Sequence, residues 1–268
     1  MTKLMGILNV TPDSFFDQGR CFDIDAAITR GKAICSEGAD IIDIGGESTR
    51  PGAPVVDTDE ELARVIPVIQ ALHSSISIPI SIDTSKPRVA EAAIQAGASF
   101  INDVTGFCQP EMQEIAAASG LDICVMHMQG NPKTMQAQPH YSEGVVLHLL
   151  HWFEQQIAIL IKRGVKEKQI FLDPGIGFGK TVDDNLNIIQ NLPKLKSLGF
   201  PLLLGISRKS FMGKIIHKTA SQLLPATIAV NALLIKDGVD IIRVHDVNEH
   251  RGVIDLLDKV YLENGNVS

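Results

Sequence analysis

The chain alternates between short apolar runs and longer segments with helical periodicity. The short runs are nearly continuous in Val, Ile and Leu, which is typical of strands buried on both faces of a parallel sheet. Eight such runs are found, at residues 5–10, 40–45, 79–83, 99–104, 122–128, 169–173, 201–207 and 240–245. The segments between them, such as 25–38 and 59–73, have the spacing of amphipathic helices. The pattern therefore predicts repeated β-then-α units along the chain.

Glycines follow several of the predicted helices, where they can supply a left-handed cap. They are Gly38, Gly97, Gly120, Gly199 and Gly238. Eight β-then-α units within 268 residues match a (β/α)8 TIM barrel, and an open doubly wound sheet is the alternative. No change in composition separates a second domain, so we expect residues 1–268 to form one α/β domain.

Composition and charge exclude several classes of partner. The chain is 45% apolar and 21% charged, with a formal net charge of −7 and no dense run of Lys or Arg. This argues against nucleic acid or an anionic membrane as the main partner. The longest apolar stretch, 223–235, is too short and interrupted to span a bilayer. The four cysteines lack Cys-x-x-Cys spacing, so we expect free thiols in a reducing compartment. No basic leader or small-residue cleavage site precedes the first apolar run, so we expect no signal peptide and a cytoplasmic protein.

The stretch FLDPGIGFGKT, residues 171–181, resembles a nucleotide-binding loop but has the wrong spacing. A phosphate-binding loop would need glycine where Pro174 stands, and Pro174 has no N–H to donate. The glycines at 175, 177 and 179 also miss the dinucleotide pattern. What remains is Asp173 at the end of a predicted strand, followed by a turn.

Polar side chains end every predicted strand, and in a barrel these ends meet at one rim. They are Asn9, Asp43, Asp83, Asn102, His127, Asp173, Ser207, Arg208, Lys209, Arg243 and His245. The carboxylates and amide among them suit a planar heterocycle with adjacent N–H donors, whereas the cationic residues near the last two strands favour a phosphate. Asn9 offers an oxygen to a hard cation such as Mg²⁺. Asp43 is equally compatible with a structural role.

Eight motifs occur in the order expected of the bacterial dihydropteroate synthase family, which the chain resembles from about residue 5 to the 260s. They are ILNVTPDSF, DIGGESTRPGA, ISIDTSKP, FINDV, MHMQGNPKTMQ, LDPGIGFGK, GISRKSF and IIRVHDV. The resemblance implies a homodimeric TIM barrel that condenses (7,8-dihydropterin-6-yl)methyl diphosphate with 4-aminobenzoate. The implied products are 7,8-dihydropteroate and diphosphate, in folate biosynthesis.

The resemblance also implies a role for each matching residue. Asn9 would hold Mg²⁺ and the diphosphate. The implied pterin pocket consists of Asp83, Asn102, Met126, Asp173, Phe178 and Lys209. Arg243 would pack on the pterin and meet phosphate, and His245 would bind phosphate. The remaining contacts to 4-aminobenzoate and diphosphate would come from Thr49, Arg50, Pro51, Ser207 and Arg208. Charge stabilisation during catalysis would fall to Arg50, Lys209, Arg243 and His245.

Two other functions are compatible with parts of the sequence. A pterin-dependent methyltransferase domain shares the barrel, but it has no need of the STRPGA and SRKS motifs. A catalytically inactive pterin-binding barrel would not need its diphosphate motifs. His148 and His151 have a spacing that can chelate a metal, but no third ligand is evident, so we interpret them as surface or groove residues.

Overall fold

Parallel strands and helices alternate through the computed structural model, which describes residues 1–11, 23–48, 53–132 and 134–262. Within these ranges there are eight strands. They are β1 (Lys3–Asn9), β2 (Ile41–Gly45), β3 (Ile80–Asp83), β4 (Phe100–Asp103), β5 (Asp122–Met126), β6 (Ile170–Asp173), β7 (Leu203–Leu204) and β8 (Ile241–Val244). Each overlaps one of the predicted runs.

The strands form one parallel sheet that curves into a barrel. Their order is β6-β5-β4-β3-β2-β1-β8-β7. An isolated parallel bridge between Leu172 and Leu202 joins the two edges, and the Leu172 N–H donates to the Pro201 carbonyl at 2.9 Å. The predicted (β/α)8 barrel is therefore confirmed, and the open-sheet alternative is wrong.

Helices connect the strands and cover the outside of the barrel. The described α-helices are α1 (Ile24–Ser36), α2 (Thr58–His73), α3 (Pro87–Ala96), α4 (Pro110–Ser119), α5 (Val145–Arg163), α6 (Val182–Gln190), α7 (Leu192–Lys196), α8 (Ser210–Ile216), α9 (Leu224–Lys236) and α10 (Val247–Leu262). Short 3-10 helices lie at Glu167–Gln169 and Ala220–Gln222. Among the described helices, none combines the length and apolarity needed to cross a membrane.

Local sequence sets the helix ends. Asp23 begins α1 by accepting a hydrogen bond from the Ala26 N–H at 2.9 Å, which satisfies a donor that has no partner within the helix. Gly97 and Gly120 end α3 and α4 in the left-handed conformation, as their positions in the sequence predicted.

Side chains on each strand alternate between the helices and the barrel interior. Along β2, Ile42 and Ile44 belong to the large core shared with the helices, whereas Ile41 belongs to a separate cluster inside the barrel. The inner cluster is Met5, Ile41, Phe100, Cys124, Leu203 and Ile241, with Phe171 packed against it. It forms an apolar floor, and the next inward positions toward the strand ends include the polar residues Asp43, Asn102, Asp173 and Arg243.

One predicted strand is much shorter than expected. The run 201–207 forms a ladder only over Leu203–Leu204, because the chain then turns and the Lys209 N–H donates to the Ile206 carbonyl at 3.1 Å. Arg208 in this turn has a left-handed φ of 55°. An apolar run cannot reveal where such a turn begins, so the sequence overestimated β7.

The turn after β6 packs against the end of β5 with no room for a side chain. Gly175 has a φ of +66°, and a Cβ there would lie 2.0 Å from the His127 carbonyl oxygen. Gly120 has nearly the same φ, +67°, but nothing within 4 Å of a Cβ position. These two glycines separate the cost of backbone conformation from the cost of collision.

We expect Gly120→Ala to lower the free energy of unfolding by about 1 kcal/mol, the cost of a left-handed alanine. In Gly175→Ala the new Cβ also collides with the His127 carbonyl oxygen. We therefore expect its free energy of unfolding to fall by at least about 3 kcal/mol. Urea denaturation of both variants provides the comparison. Equal losses would show that the β6 turn moves away from His127 without penalty.

Candidate active site

The polar strand ends meet at the C-terminal rim of the barrel, because all strands run the same way. In register, Asp83 of β3 lies between Gly45 of β2 and Asn102 of β4. Met126 of β5 lies beside Asp173 of β6. This is the rim where barrels of this class form their active sites.

A pocket opens at this rim. Its lining is Asp83, Asn102, Val104, Met126, Asp173, Ile176, Phe178, Gly205, Lys209 and Arg243. The structure thus brings together seven of the residues singled out from the sequence. Sequence reasoning missed Val104, Ile176 and Gly205, because single apolar residues or glycines after a strand carry no chemical signal.

Arg243 links the two carboxylates at the centre of the site. Its Nε donates to Asp43 Oδ2 at 2.5 Å, and its Nη2 donates to Asp83 Oδ2 at 2.7 Å. The Asn102 amide also donates to Asp43 Oδ2, at 3.0 Å. Asp43 is fully buried, so it supports the pocket by orienting Arg243 and Asn102 without lining it.

Burial and charge act in opposite directions on this group. Burial disfavours the charge on Arg243, but Asp43 and Asp83 outweigh it and raise the Arg243 pKa. Burial raises the pKa of Asp83 to about 7, with Arg243 opposing the shift and Asp43 reinforcing it. Arg243 therefore remains a guanidinium, and Asp83 is sensitive to any change in its partner.

Asp173 at the end of β6 and Lys209 in the turn after β7 also face the pocket. Asp173 Oδ1 accepts from the Gly175 N–H at 2.7 Å, and burial raises the Asp173 pKa. Lys209 Nζ lies 4.0 Å from the centre of the Phe178 ring. Burial lowers the Lys209 pKa to about 8, while Asp173 opposes that shift. The pocket therefore offers both hydrogen-bond acceptors and cationic donors to a planar ligand.

Ser207, Arg208 and His245 lie beside the pocket without lining it. The His245 N–H donates to Ser207 Oγ at 3.2 Å, and His245 Nδ1 lies 3.0 Å from the same oxygen. Arg208 makes two hydrogen bonds to Asp246, at 2.9 and 2.5 Å. The Arg208 guanidinium is thus held by a carboxylate next to the site, a geometry that the SRK motif did not reveal.

The remaining predicted site residues are placed differently. Asn9 ends β1 beside Gly45 of β2 and is half-buried. Thr49, Arg50 and Pro51 lie outside the described residues. His127 is grouped with the polar strand ends by its position in the sequence. Its buried imidazole instead contacts Lys180 and His148 and does not line the pocket.

His148 and His151 do not face a common position where both could bind one metal ion. His148 contacts His127, whereas His151 lies 4.0 Å from a carboxylate oxygen of Glu143. Across the described ranges, no group of three or more His, Cys, Asp or Glu side chains is arranged to hold a metal.

The sequence of this chain is similar to those of known pterin-binding enzymes. A family model described as pterin binding enzyme matches residues 5–245. The chain belongs to this family. The resemblance to dihydropteroate synthases noted from the motifs is likewise confirmed by curated relatives. The enzyme of Synechocystis sp. is 45% identical over 97% of this chain and 90% of its own length. The Escherichia coli enzyme is 44% identical over 92% of this chain and 87% of its own length.

Solved structures of dihydropteroate synthases share the fold. The Clostridium difficile enzyme, crystallised in the presence of pteroic acid, has a TM-score of 0.91 and 45% identity, covering 97% of both chains. The Xanthomonas albilineans enzyme in complex with 7,8-dihydropteroate has a TM-score of 0.88 and 36% identity, covering 100% of this chain and 95% of the other. Another structure of the X. albilineans enzyme, with 4-aminobenzoic acid, has a TM-score of 0.90 and 39% identity, covering 100% and 94%.

The buried ion pair predicts a large energetic effect at Asp43. Asp43→Ala leaves Arg243 and Asn102 without their shared acceptor, so we expect the free energy of unfolding to fall by about 3 kcal/mol. The control is Glu114→Ala, which removes an exposed pair with Arg163 and should change stability by less than about 1 kcal/mol. Chemical denaturation measures both. A loss for Asp43→Ala as small as the control's would mean that Asp83 alone satisfies Arg243.

Proposed function

We propose that this chain is a dihydropteroate synthase. It condenses (7,8-dihydropterin-6-yl)methyl diphosphate with 4-aminobenzoate and yields 7,8-dihydropteroate and diphosphate. The observation that carries the proposal is one pocket lined by Asp83, Asn102, Asp173, Lys209 and Arg243, in a chain whose full-length relatives are named for this reaction. The chain is therefore a transferase.

The pocket has the donors and acceptors that a pterin needs. A pterin ring presents adjacent N–H donors, and the carboxylates of Asp83 and Asp173 accept them. The Asn102 amide supplies both a donor and an acceptor, and Lys209 donates to a ring carbonyl or nitrogen. Phe178 and Met126 provide apolar surface for the ring. Pairing these buried groups with ligand atoms lowers the cost of keeping them in a dry pocket.

Positioning and charge stabilisation account for the reaction. The bond between the methylene carbon and the diphosphate oxygen breaks, and the diphosphate leaves with the electron pair. The neutral amine of 4-aminobenzoate forms the new C–N bond and then loses a proton. Arg243 and His245 stabilise charge on the leaving diphosphate, and the electron-rich pterin stabilises positive charge on the methylene. We also assign Thr49, Arg50 and Pro51 to the second substrate and the diphosphate, from the motif alone.

Magnesium is part of the proposal, with Asn9 as its protein ligand. Within the described part of the chain, the Asn9 side chain has no hydrogen-bond partner, so its amide oxygen remains available at the rim. A single amide oxygen fits Mg²⁺, which keeps several waters and takes further oxygens from substrate phosphates. When bound, the ion would add positive charge beside the diphosphate.

We further infer a homodimer in the cytoplasm. Leu233 of α9 and Leu256 and Tyr261 of α10 are 56%, 63% and 50% exposed, which gives two neighbouring helices an apolar outer surface that a second copy would cover. The cysteine pattern supports the cytoplasmic location. Light scattering of the purified protein gives its mass: a monomer at micromolar concentration would exclude a stable dimer.

One assay tests the function against its alternatives. With dihydropterin diphosphate, 4-aminobenzoate and Mg²⁺, we expect equal amounts of diphosphate and 7,8-dihydropteroate, and little of either after Mg²⁺ is chelated. Pterin binding without product would indicate a catalytically inactive barrel. Transfer of a methyl group from a methylated pterin would indicate the methyltransferase.

We expect Asp173→Asn to weaken pterin binding about 10- to 100-fold, the range for losing a hydrogen bond to a charged group. The fold should survive, because an asparagine oxygen can still accept from the Gly175 N–H. Calorimetric titration with a pterin that lacks the diphosphate measures the effect. The control, Asp122→Asn, alters an exposed carboxylate at the opposite end of β5 and should bind normally. Unchanged affinity in Asp173→Asn would remove this residue from the pterin contact.

A further inference from the structure

The turn after β6 and the segment after β5 are joined by several hydrogen bonds. The Gln136 side chain donates to the Gly177 carbonyl at 2.5 Å, and the Tyr141 hydroxyl donates to the Gly179 carbonyl at 2.8 Å. A Cβ on Gly179 would lie 2.7 Å from the Gln129 carbonyl oxygen. The two segments therefore form one packed unit beside the pocket.

Lys180 lies at the centre of this unit and has no role in the reaction described above. Its side chain is only 3% exposed. Its Nζ lies 3.0 Å from His127 Nδ1, 3.3 Å from the His127 carbonyl oxygen and 3.0 Å from the Phe178 carbonyl oxygen. None of the carboxylates in the described ranges forms an ion pair with it. Three neutral partners thus surround one buried amine.

The surroundings determine where the protons are. Two of the three partners are carbonyl oxygens, which only accept, so an ammonium that donates three N–H groups satisfies all three when His127 Nδ1 is unprotonated. His127 then carries its proton on Nε2, which lies 3.2 Å from His148 Nε2 and donates to it. Burial lowers the pKa of His127 to about 2, so this ring remains neutral.

We propose that Lys180 is a positioning residue of the pterin pocket, whose ammonium holds the turn after β6 against the end of β5. This role rests on the proposed function. The held atoms adjoin the pocket on both sides: Phe178 lines it and gives its carbonyl to Lys180, and Met126 lines it and precedes His127. The His127 N–H also donates to the Asp173 carbonyl at 2.9 Å.

Loss of one proton breaks this arrangement. A neutral amine has two N–H groups and a lone pair, so one carbonyl or His127 Nδ1 loses its donor. Burial lowers the pKa of Lys180 to about 7; Asp173 and Asp184 oppose that shift, and Lys209 reinforces it. Lys180 is therefore an ammonium below that pH, and the contact weakens as the pH rises through about 7.

Other titrating groups face the same region. His148 is partly exposed and burial lowers its pKa, and burial raises the pKa of Tyr141. Lys209 titrates near pH 8 in the pocket itself. A variant at Lys180 is needed to separate its contribution from theirs.

The test is pterin affinity between pH 6 and 8.5, measured by calorimetry with a pterin lacking the diphosphate. Lys180→Met keeps the length of the side chain and removes its charge. At pH 6 we expect it to bind about 10-fold more weakly than the native protein, a typical coupling between sites. The difference should narrow by pH 8.5, because the neutral native lysine loses one of its three contacts while methionine has none at any pH. The control is Lys162→Met, an exposed lysine on α5, which should match the native protein throughout.

Two results would overturn the role of Lys180. One is native affinity in the variant at pH 6; the other is an equal deficit at every pH combined with a His127 Nδ1 shift that does change with pH, which would indicate packing instead of charge. In steady-state assays at pH 6, the variant should raise KM for the pterin substrate while kcat changes little. A change in kcat alone would also contradict positioning.

A second measurement needs no variant. Nitrogen-15 NMR of the native protein reports the His127 ring, and we expect Nδ1 to be unprotonated at pH 6 and its shift to move as Lys180 titrates. A protonated Nδ1 would exclude the ammonium contact, and a shift constant from pH 6 to 8.5 would exclude its loss within this range. If the native protein binds no pterin at any pH, the proposed function fails together with this role. Native binding with an unaffected variant rejects the role alone.

Discussion

The site depends on burying opposite charges together inside a barrel. Asp43 is fully buried, and an isolated carboxylate there would be very costly. Arg243 makes its burial possible and is itself held by Asp43 and Asp83. Because the three residues come from β2, β3 and β8, the ion pairs also connect strands that are far apart in sequence. The same contacts that stabilise the barrel therefore orient the groups that face a ligand.

The apolar floor and this charged layer are consequences of one alternation. Each strand points every second side chain inward, and on β2, β4, β6 and β8 the inward positions change from apolar to polar toward the rim. On β8, Ile241 lies in the floor cluster and Arg243 lies two residues further on. The floor excludes water from below, which strengthens the electrostatic interactions above it. Depth in the barrel thus determines which residues serve the core and which serve the site.

Sequence patterns predicted most strands because continuous apolar runs report burial on both faces. They failed at β7, where a turn begins within an apolar run. The motifs correctly predicted that Asp83, Asn102, Asp173 and Lys209 line one pocket, but they left the role of Asp43 open. Lys180 drew notice only as part of a stretch that resembles a nucleotide-binding loop, because its contacts with three neighbours at 3.0 to 3.3 Å cannot be read from the sequence. Such three-dimensional contacts have no regular spacing in the sequence.

The junction between β6 and β7 is the weakest seam of the barrel. One bridge, between Leu172 and Leu202, spans it, whereas the neighbouring β5 and β6 are paired over four residues. Asp173 lies on one side of this seam and Lys209 on the other, and their opposite charges attract across it. A ligand that contacts both residues would therefore connect β6 to the segment after β7, where the two backbones are joined by a single bridge.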